Sequence, residues 1–163
     1  MEKMLTQRQV KEVVKLLKSK YLDGRPVLQQ VFESGGFMWA TDGYVALELF
    51  ECREQTLGKC ATLGTLQRWL ATSSSKDMFG DWVDLADGMP EMCKIIHGDW
   101  IEPTSIKFDI KKLKQCCDFL KTTQFTLKAS TKNSSLYMVV PINDGRPVLE
   151  RAMDSKAYIM GLK

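Results

Sequence analysis

The sequence predicts an α+β fold in which helices pack on an antiparallel sheet, with the chain organised as two helix-plus-meander half-units. Three observations carry this reading. Amphipathic helical spacing appears twice, over residues 6–21 and again over 110–121. Each helix leads into short β-prone runs separated by turn residues, not into alternating strand–helix units. Between them lies a segment with one short helical pattern and an extended connector. The half-units are therefore 1–53 and 104–163, joined by a divergent segment 54–103 within one domain of 163 residues.

The first helix is read from TQRQVKEVVKLLKSKY. Val10, Val13, Val14, Leu17 and Tyr21 recur at helical spacing and form an apolar stripe, and Thr6 is placed to cap the N-terminus. Arg8, Lys11, Lys15 and Lys18 follow the spacing i, i+3, i+7, i+10 and share a second, basic face. The run LDGRP ends the helix, because Gly24 tolerates positive φ and Pro26 drives Arg25 into an extended conformation. Three strands follow, PVLQQVFE, FMWAT and YVALELFE, joined by Gly35-Gly36 and by Asp42-Gly43 as hairpin signals. Trp39 alternates with Phe37 on the middle strand, which places it in or over the sheet.

In the middle segment, Leu66, Trp69 and Leu70 mark a short helix, and Ser73 to Lys76 reads as a loop. A strand is expected around Trp82–Leu85. The stretch bracketed by Pro90 and Pro103 reads as an extended connector. The last third begins with a short strand, IKF, and then a helix with Ile110, Leu113, Cys117 and Leu120 as its apolar stripe. Lys111, Lys114 and Lys121 lie on another face, interrupted by Asp118. The β-prone runs QFTLKAS, SLYMVVP, RPVLERAM and KAYIMGL close the chain. The hexapeptide DGRPVL occurs at 23–28 and at 144–149, directly after the first helix but two strands after the second. Its copies hold non-equivalent positions and read as a reused turn-into-strand sequence.

Composition removes several classes. Hydrophobic residues make up 44% and charged residues 26%, and no apolar run reaches the ~20 residues of a membrane span. The N-terminus enters a polar helical pattern without a signal-peptide core, so a cytoplasmic location is expected. Five cysteines without a C-x-x-C pair predict neither a disulfide framework nor a zinc site. His97 is the sole histidine, and no phosphate-binding Gly-rich loop or nucleophile elbow is present, so neither catalysis nor a cofactor is expected. Asp81, Asp84 and Asp87 are spaced as a solvated acidic edge and lack the pattern of a calcium loop. With a net charge of only +3, any association with nucleic acid must rest on where the lysines sit.

Arg25-Pro26-Val27-Leu28 and Ala40-Thr41-Asp42-Gly43, followed by Tyr44-Val45-Ala46-Leu47, resemble a stretch of the bacterial DNA sliding clamp, the beta subunit of the replicative polymerase. GMPEMCKIIHGDWIEPTSIKFDIKKLKQCC resembles that family's interdomain connector, and RPVLERAMDSKAYIMGLK its closing strands. The match covers about two-thirds of the chain in pieces, in the family's order. It departs from the family in length, in residues 53–88, in the extra strand SLYMVVP, and in Met160-Gly161-Leu162 where Met-Pro-Met is usual. The resemblance is to a short, divergent, single-domain relative of phage or prophage type.

The resemblance implies a DNA clamp (processivity) fold and a non-catalytic role in replication. Family helices face an enclosed duplex and contact phosphates without reading sequence, which here implies Arg8, Lys11, Lys15, Lys18, Lys111, Lys114 and Lys121. Replication proteins dock short peptides in an apolar pocket beside the Thr-Asp-Gly turn and the final strand. The matching positions are Thr41, Gly43, Tyr44, Val45 and Leu47, with Tyr158, Ile159, Met160, Gly161 and Leu162. One domain cannot encircle DNA, so ring closure would need a homo-oligomer joined through sheet edges. The alternative is a protein-binding adaptor or inhibitor that has this fold and does not bind DNA. If the lysine faces of both helices share one concave surface, DNA is favoured; if they point apart, the adaptor is.

Overall fold

The computed structural model of the protein describes residues 5–72, 81–103, 107–143, 146–147 and 155–161. Helix α1 spans Gln7–Leu17 and opens with a capping box: the Thr6 hydroxyl accepts from the Gln9 amide, and the Gln9 side chain accepts from the Thr6 amide at 3.1 Å. It buries Val10, Val13, Val14, Leu16 and Leu17. The helix stops there, so Tyr21 leaves the expected stripe. It sits in a 3-10 turn, Lys20–Leu22, and is 42% exposed.

A second 3-10 turn, Pro26–Leu28, replaces the expected start of the first strand. Proline suits the first position of a helical turn, where the missing N–H leaves no bond unmade. Gly24 is not in the left-handed region, so the chain turns without using its freedom. Strands β1 (Gln30–Ser34), β2 (Phe37–Thr41) and β3 (Val45–Glu51) form the expected antiparallel meander. Gly35 and Gly36, with φ of 61° and 86°, make the tight β1–β2 turn.

The middle segment adds structure that its pattern does not announce. Strand β4 (Lys59–Thr62) pairs with β1 and runs straight into α2 (Leu63–Ala71), whose first turn is capped by Thr62. The strand expected near Trp82 shrinks to a two-residue exposed edge, β5 (Val83–Asp84). The expected connector contains a short helix, α3 (Met92–Ile95), and a strand, β6 (Trp100–Ile101). Residues 107–109 are not a strand; Asp109 instead caps α4 (Ile110–Leu120) by accepting from the Lys111 amide at 2.8 Å. Strands β7 (Phe125–Ser130), β8 (Leu136–Asn143), β9 (Arg146–Pro147) and β10 (Lys156–Met160) complete the chain. The expected strand RPVLERAM lies, beyond residue 147, outside the described residues.

The strands pair antiparallel throughout in the order β5-β4-β1-β2-β3-β10-β8-β7-β6, with β9 attached to β8. The order is mirrored about the β3–β10 contact: the three strands after α1 and the three principal strands after α4 each run from the flank to the centre. Alternation gives the sheet two apolar faces. Met38, Ala40, Leu47, Leu49, Val139, Ala157 and Ile159 meet α1, α2 and α4 in the larger core. Phe32, Trp39, Ala46, Leu136 and Tyr158 point the other way, where Met92 and Ile96 of the connector pack on them.

The predicted stripe of α4 is corrected by one step around the helix. Ile110 is 71% exposed and Cys117 only half-buried, while Cys116, Phe119 and even Lys112 join Leu113 and Leu120 inside. The cause lies in another element: a buried carboxylate, Asp42, waits beneath the helix for the Lys112 ammonium.

Candidate functional site

The β2–β3 turn is the most tightly bonded feature near the second apolar face. Asp42 accepts from the amides of Tyr44 and Val45, each at 2.9 Å, and its other oxygen takes the Lys112 ammonium. The Thr41 hydroxyl accepts from the Gly43 amide at 3.1 Å and donates to the Val45 carbonyl at 2.7 Å. Gly43 has φ of 91°, a conformation that disfavours any side chain. Tyr21 packs on Tyr44 with ring centroids 4.6 Å apart, and Lys112 lies 4.7 Å from the Tyr21 ring centroid. The turn is thus held from α4 on one side and presents its other side outward.

That outward side forms one wall of an apolar groove with a cavity volume of about 180 Å³, partly open to solvent. This is below the ~300–1,000 Å³ of typical small-molecule pockets and is the size of a site for one or two side chains. Thr41, Gly43, Tyr44 and Val45 supply the turn wall; Pro90, Met92, Ile95 and Ile96 supply the connector wall. Leu136, Tyr158 and Met160 lie between them, and Arg25 and Leu28 stand at the remaining edge. Tyr158 is held between Trp39 and Trp100, with centroids 5.9 and 5.6 Å away. Burial, with a smaller contribution from Glu48, pushes its hydroxyl pKa up, so it remains a neutral phenol.

Of the predicted pocket residues, Thr41, Gly43, Tyr44, Val45, Tyr158 and Met160 come together around this groove. Leu47 and Ile159 do not. Strand alternation turns both to the helix-side core, where they are 2% and 0% exposed. Leu162 lies outside the described residues. Gly161 has a structural reason to be neither proline nor any larger residue. A Cβ there would come within 2.7 Å of the Tyr137 ring, and its amide donates to the Ser135 carbonyl at 2.6 Å. Sequence reasoning missed Arg25, Leu28, Ala46, Leu136 and the connector residues as lining. Only the i, i+3, i+4 spacing of Met92, Ile95 and Ile96 hinted that the connector has an inward side.

The predicted basic residues Arg8, Lys11, Lys15, Lys18, Lys111, Lys114 and Lys121 are all exposed. α1 and α4 pack side by side on the same face of the sheet. Lys114 bonds Asp118 at 2.7 Å, and its pKa is raised by that bond, with a further contribution from Glu12 of α1. Glu12 also pairs with Lys15 at 3.5 Å. The two lysine rows are therefore neighbours on one side of the molecule, with Glu12 and Asp118 set among them.

Elsewhere, Asp84 pairs with Lys59 and Asp81 with Arg68, so the acidic edge is tied to cations. Among the described residues no group of three His, Cys, Asp or Glu side chains could hold a metal ion. No described helix is long and apolar enough to cross a membrane. His97 is exposed, and its carbonyl accepts from the Ser130 hydroxyl at 2.7 Å. No family model matches the chain, and comparisons with curated proteins and with solved structures return no match.

Proposed function

We propose that this chain is a non-catalytic, clamp-like docking protein whose groove takes short apolar peptide segments of replication proteins. The observation that carries the reading is the meeting of turn, connector and last strand around one groove. Of these segments, far apart in sequence, the turn and the last strand carry the residues that resemble the peptide site of sliding clamps, and the connector resembles the family's interdomain connector. An apolar trough with a few fixed polar groups suits an extended peptide with aliphatic or aromatic anchors. The mirrored sheet order and the two helices side by side on one face support the clamp-type reading of the fold.

Association of the α1–α4 face with duplex DNA belongs to the same proposal. Arg8, Lys11, Lys18, Lys111 and Lys121 form no ion pair among the described residues, which leaves them available to phosphates. The adaptor that does not bind DNA is the second reading, favoured by the Glu12–Lys15 and Lys114–Asp118 pairs that neutralise part of this face.

Amide chemical-shift mapping of the intact protein tests both. A blocked peptide pool containing Leu-Phe should shift Gly43, Tyr44, Ile95 and Met160. A two-turn duplex of arbitrary sequence should shift α1 and α4. About four phosphate contacts would cost roughly a hundredfold in affinity between ~50 and ~200 mM salt. Absent or scattered peptide shifts would remove the docking reading. Peptide shifts without DNA shifts would select the adaptor.

A further inference from the structure

We infer that the groove selects extended peptides bearing an Asp or Glu side chain next to their apolar anchor, and that Arg25 reads this acid. The inference rests on the docking function proposed above and specifies its ligand. Arg25 is the one charged side chain among the described lining residues. Its backbone is fixed between two turns: its amide donates to the Leu22 carbonyl at 2.9 Å, and its carbonyl accepts from the Leu28 amide at 3.0 Å. The head group lies over the β2–β3 turn, since a Cβ placed on Gly43 would stand 3.8 Å from its Nη1.

Among the described residues the Arg25 guanidinium makes no ion pair or hydrogen bond. The acids that could have satisfied it are engaged or set apart. Asp42 is taken by Lys112 and two amides, and Glu91 by Lys94 at 2.7 Å. Asp23, two residues away, forms no ion pair with it. An exposed, pre-positioned guanidinium beside an apolar trough is complementary to a carboxylate, which it can grip through two parallel N–H bonds.

The carboxylate is that of a side chain and not a peptide C-terminus. Capture of a terminal carboxylate uses a cluster of free backbone amides. Here the amides of Gly43, Tyr44 and Val45 already donate to Thr41 and Asp42, and the Met160 amide donates to the Tyr44 carbonyl. The turn offers no such cluster, so the anionic contact falls to Arg25.

The test passes a pool of N-acetylated, C-amidated heptapeptides over the immobilised intact protein. Each carries a fixed Leu-Phe pair among random positions, and the retained sequences are read out. Wild type should enrich Asp or Glu beside the anchor, and a recovered acidic peptide should bind about fivefold more tightly than its amide counterpart, as for a partly exposed charge pair. Arg25→Gln should keep apolar peptides but lose the acid preference, and Arg25→Glu should shift it to Lys or Arg. Because Arg25 is exposed and its side chain has no partner among the described residues, neither variant should alter the thermal midpoint. Retention of apolar peptides by wild type without acid preference overturns this inference and leaves the docking function standing. Acid preference that survives Arg25→Gln overturns the role of Arg25. Absence of any retained peptide overturns the docking function and this inference together.

Discussion

Lys112 is where local pattern and tertiary structure disagree most. It stands in the run KKLK, which reads as a solvated lysine row, yet its side chain is only 11% exposed and ends on a carboxylate with no exposure at all. Its ammonium lies 4.7 and 5.8 Å from the Tyr21 and Tyr44 ring centroids. Two aromatic faces and a carboxylate together replace the water that the charge has lost. Removing the lysine leaves Asp42 buried, with only amide donors. Lys112→Ala should therefore cost about 3–5 kcal/mol in urea denaturation. Lys111→Ala, one position away on the exposed side, should stay within about 0.5 kcal/mol. Adding Asp42→Asn to a Lys112→Met variant should recover part of the loss, because no unpaired charge is then buried. An equal cost for Lys111→Ala and Lys112→Ala would show that the pair contributes nothing specific.

At the scale of elements, the end of α4 carries a conformational cost. Lys121 has φ of 54° and ψ of 49°, and Thr122 donates to the Cys117 carbonyl at 3.0 Å, as in a helix end closed by a left-handed residue. Glycine is usual there because it has no Cβ to crowd the backbone. Lys121→Gly should stabilise the fold by about 0.5–1 kcal/mol. The same variant, followed by DNA anisotropy, separates the lysine's proposed contact from its structural cost. Elements with local signals were legible in the sequence: Thr6 and Gln9 announce α1, and Gly35-Gly36 announces the first hairpin. Elements specified from elsewhere were not. The four residues Lys-Cys-Ala-Thr of β4 are too short to show a period and form a strand because β1 offers an unpaired edge. The α4 stripe was misplaced because a partner 70 residues upstream, Asp42, draws Lys112 inward; no helical periodicity encodes that. The groove was half legible for the same reason. Its turn and last strand carry recognisable residues, but Arg25, Ile95 and Ile96 reach it only through the paths of the turns and the connector.

At the scale of the whole molecule, the contact between β3 and β10 decides whether the two helix-plus-meander halves can exist apart. Ala157 faces Leu47 and Ile159 faces Val45 across it, and these side chains lie deep in the core shared by α1 and α4. Further ties cross the same boundary: the Gln9 side chain donates to the Ser155 hydroxyl at 3.4 Å, and that hydroxyl donates to the Leu49 carbonyl at 3.0 Å. The Lys112–Asp42 pair joins the second helix to the first meander. If either half opened, it would expose the shared apolar core and leave the central strand of the other with an unpaired edge, so partly folded states are strongly disfavoured. Urea unfolding followed by tryptophan fluorescence and by far-ultraviolet circular dichroism should therefore give one coincident transition. Leu47→Ala should cost about 2–4 kcal/mol, as for a buried leucine, and should move both signals together. Two separated transitions, with Leu47→Ala shifting only the earlier one, would mean that the halves are independent units that merely touch along β3 and β10.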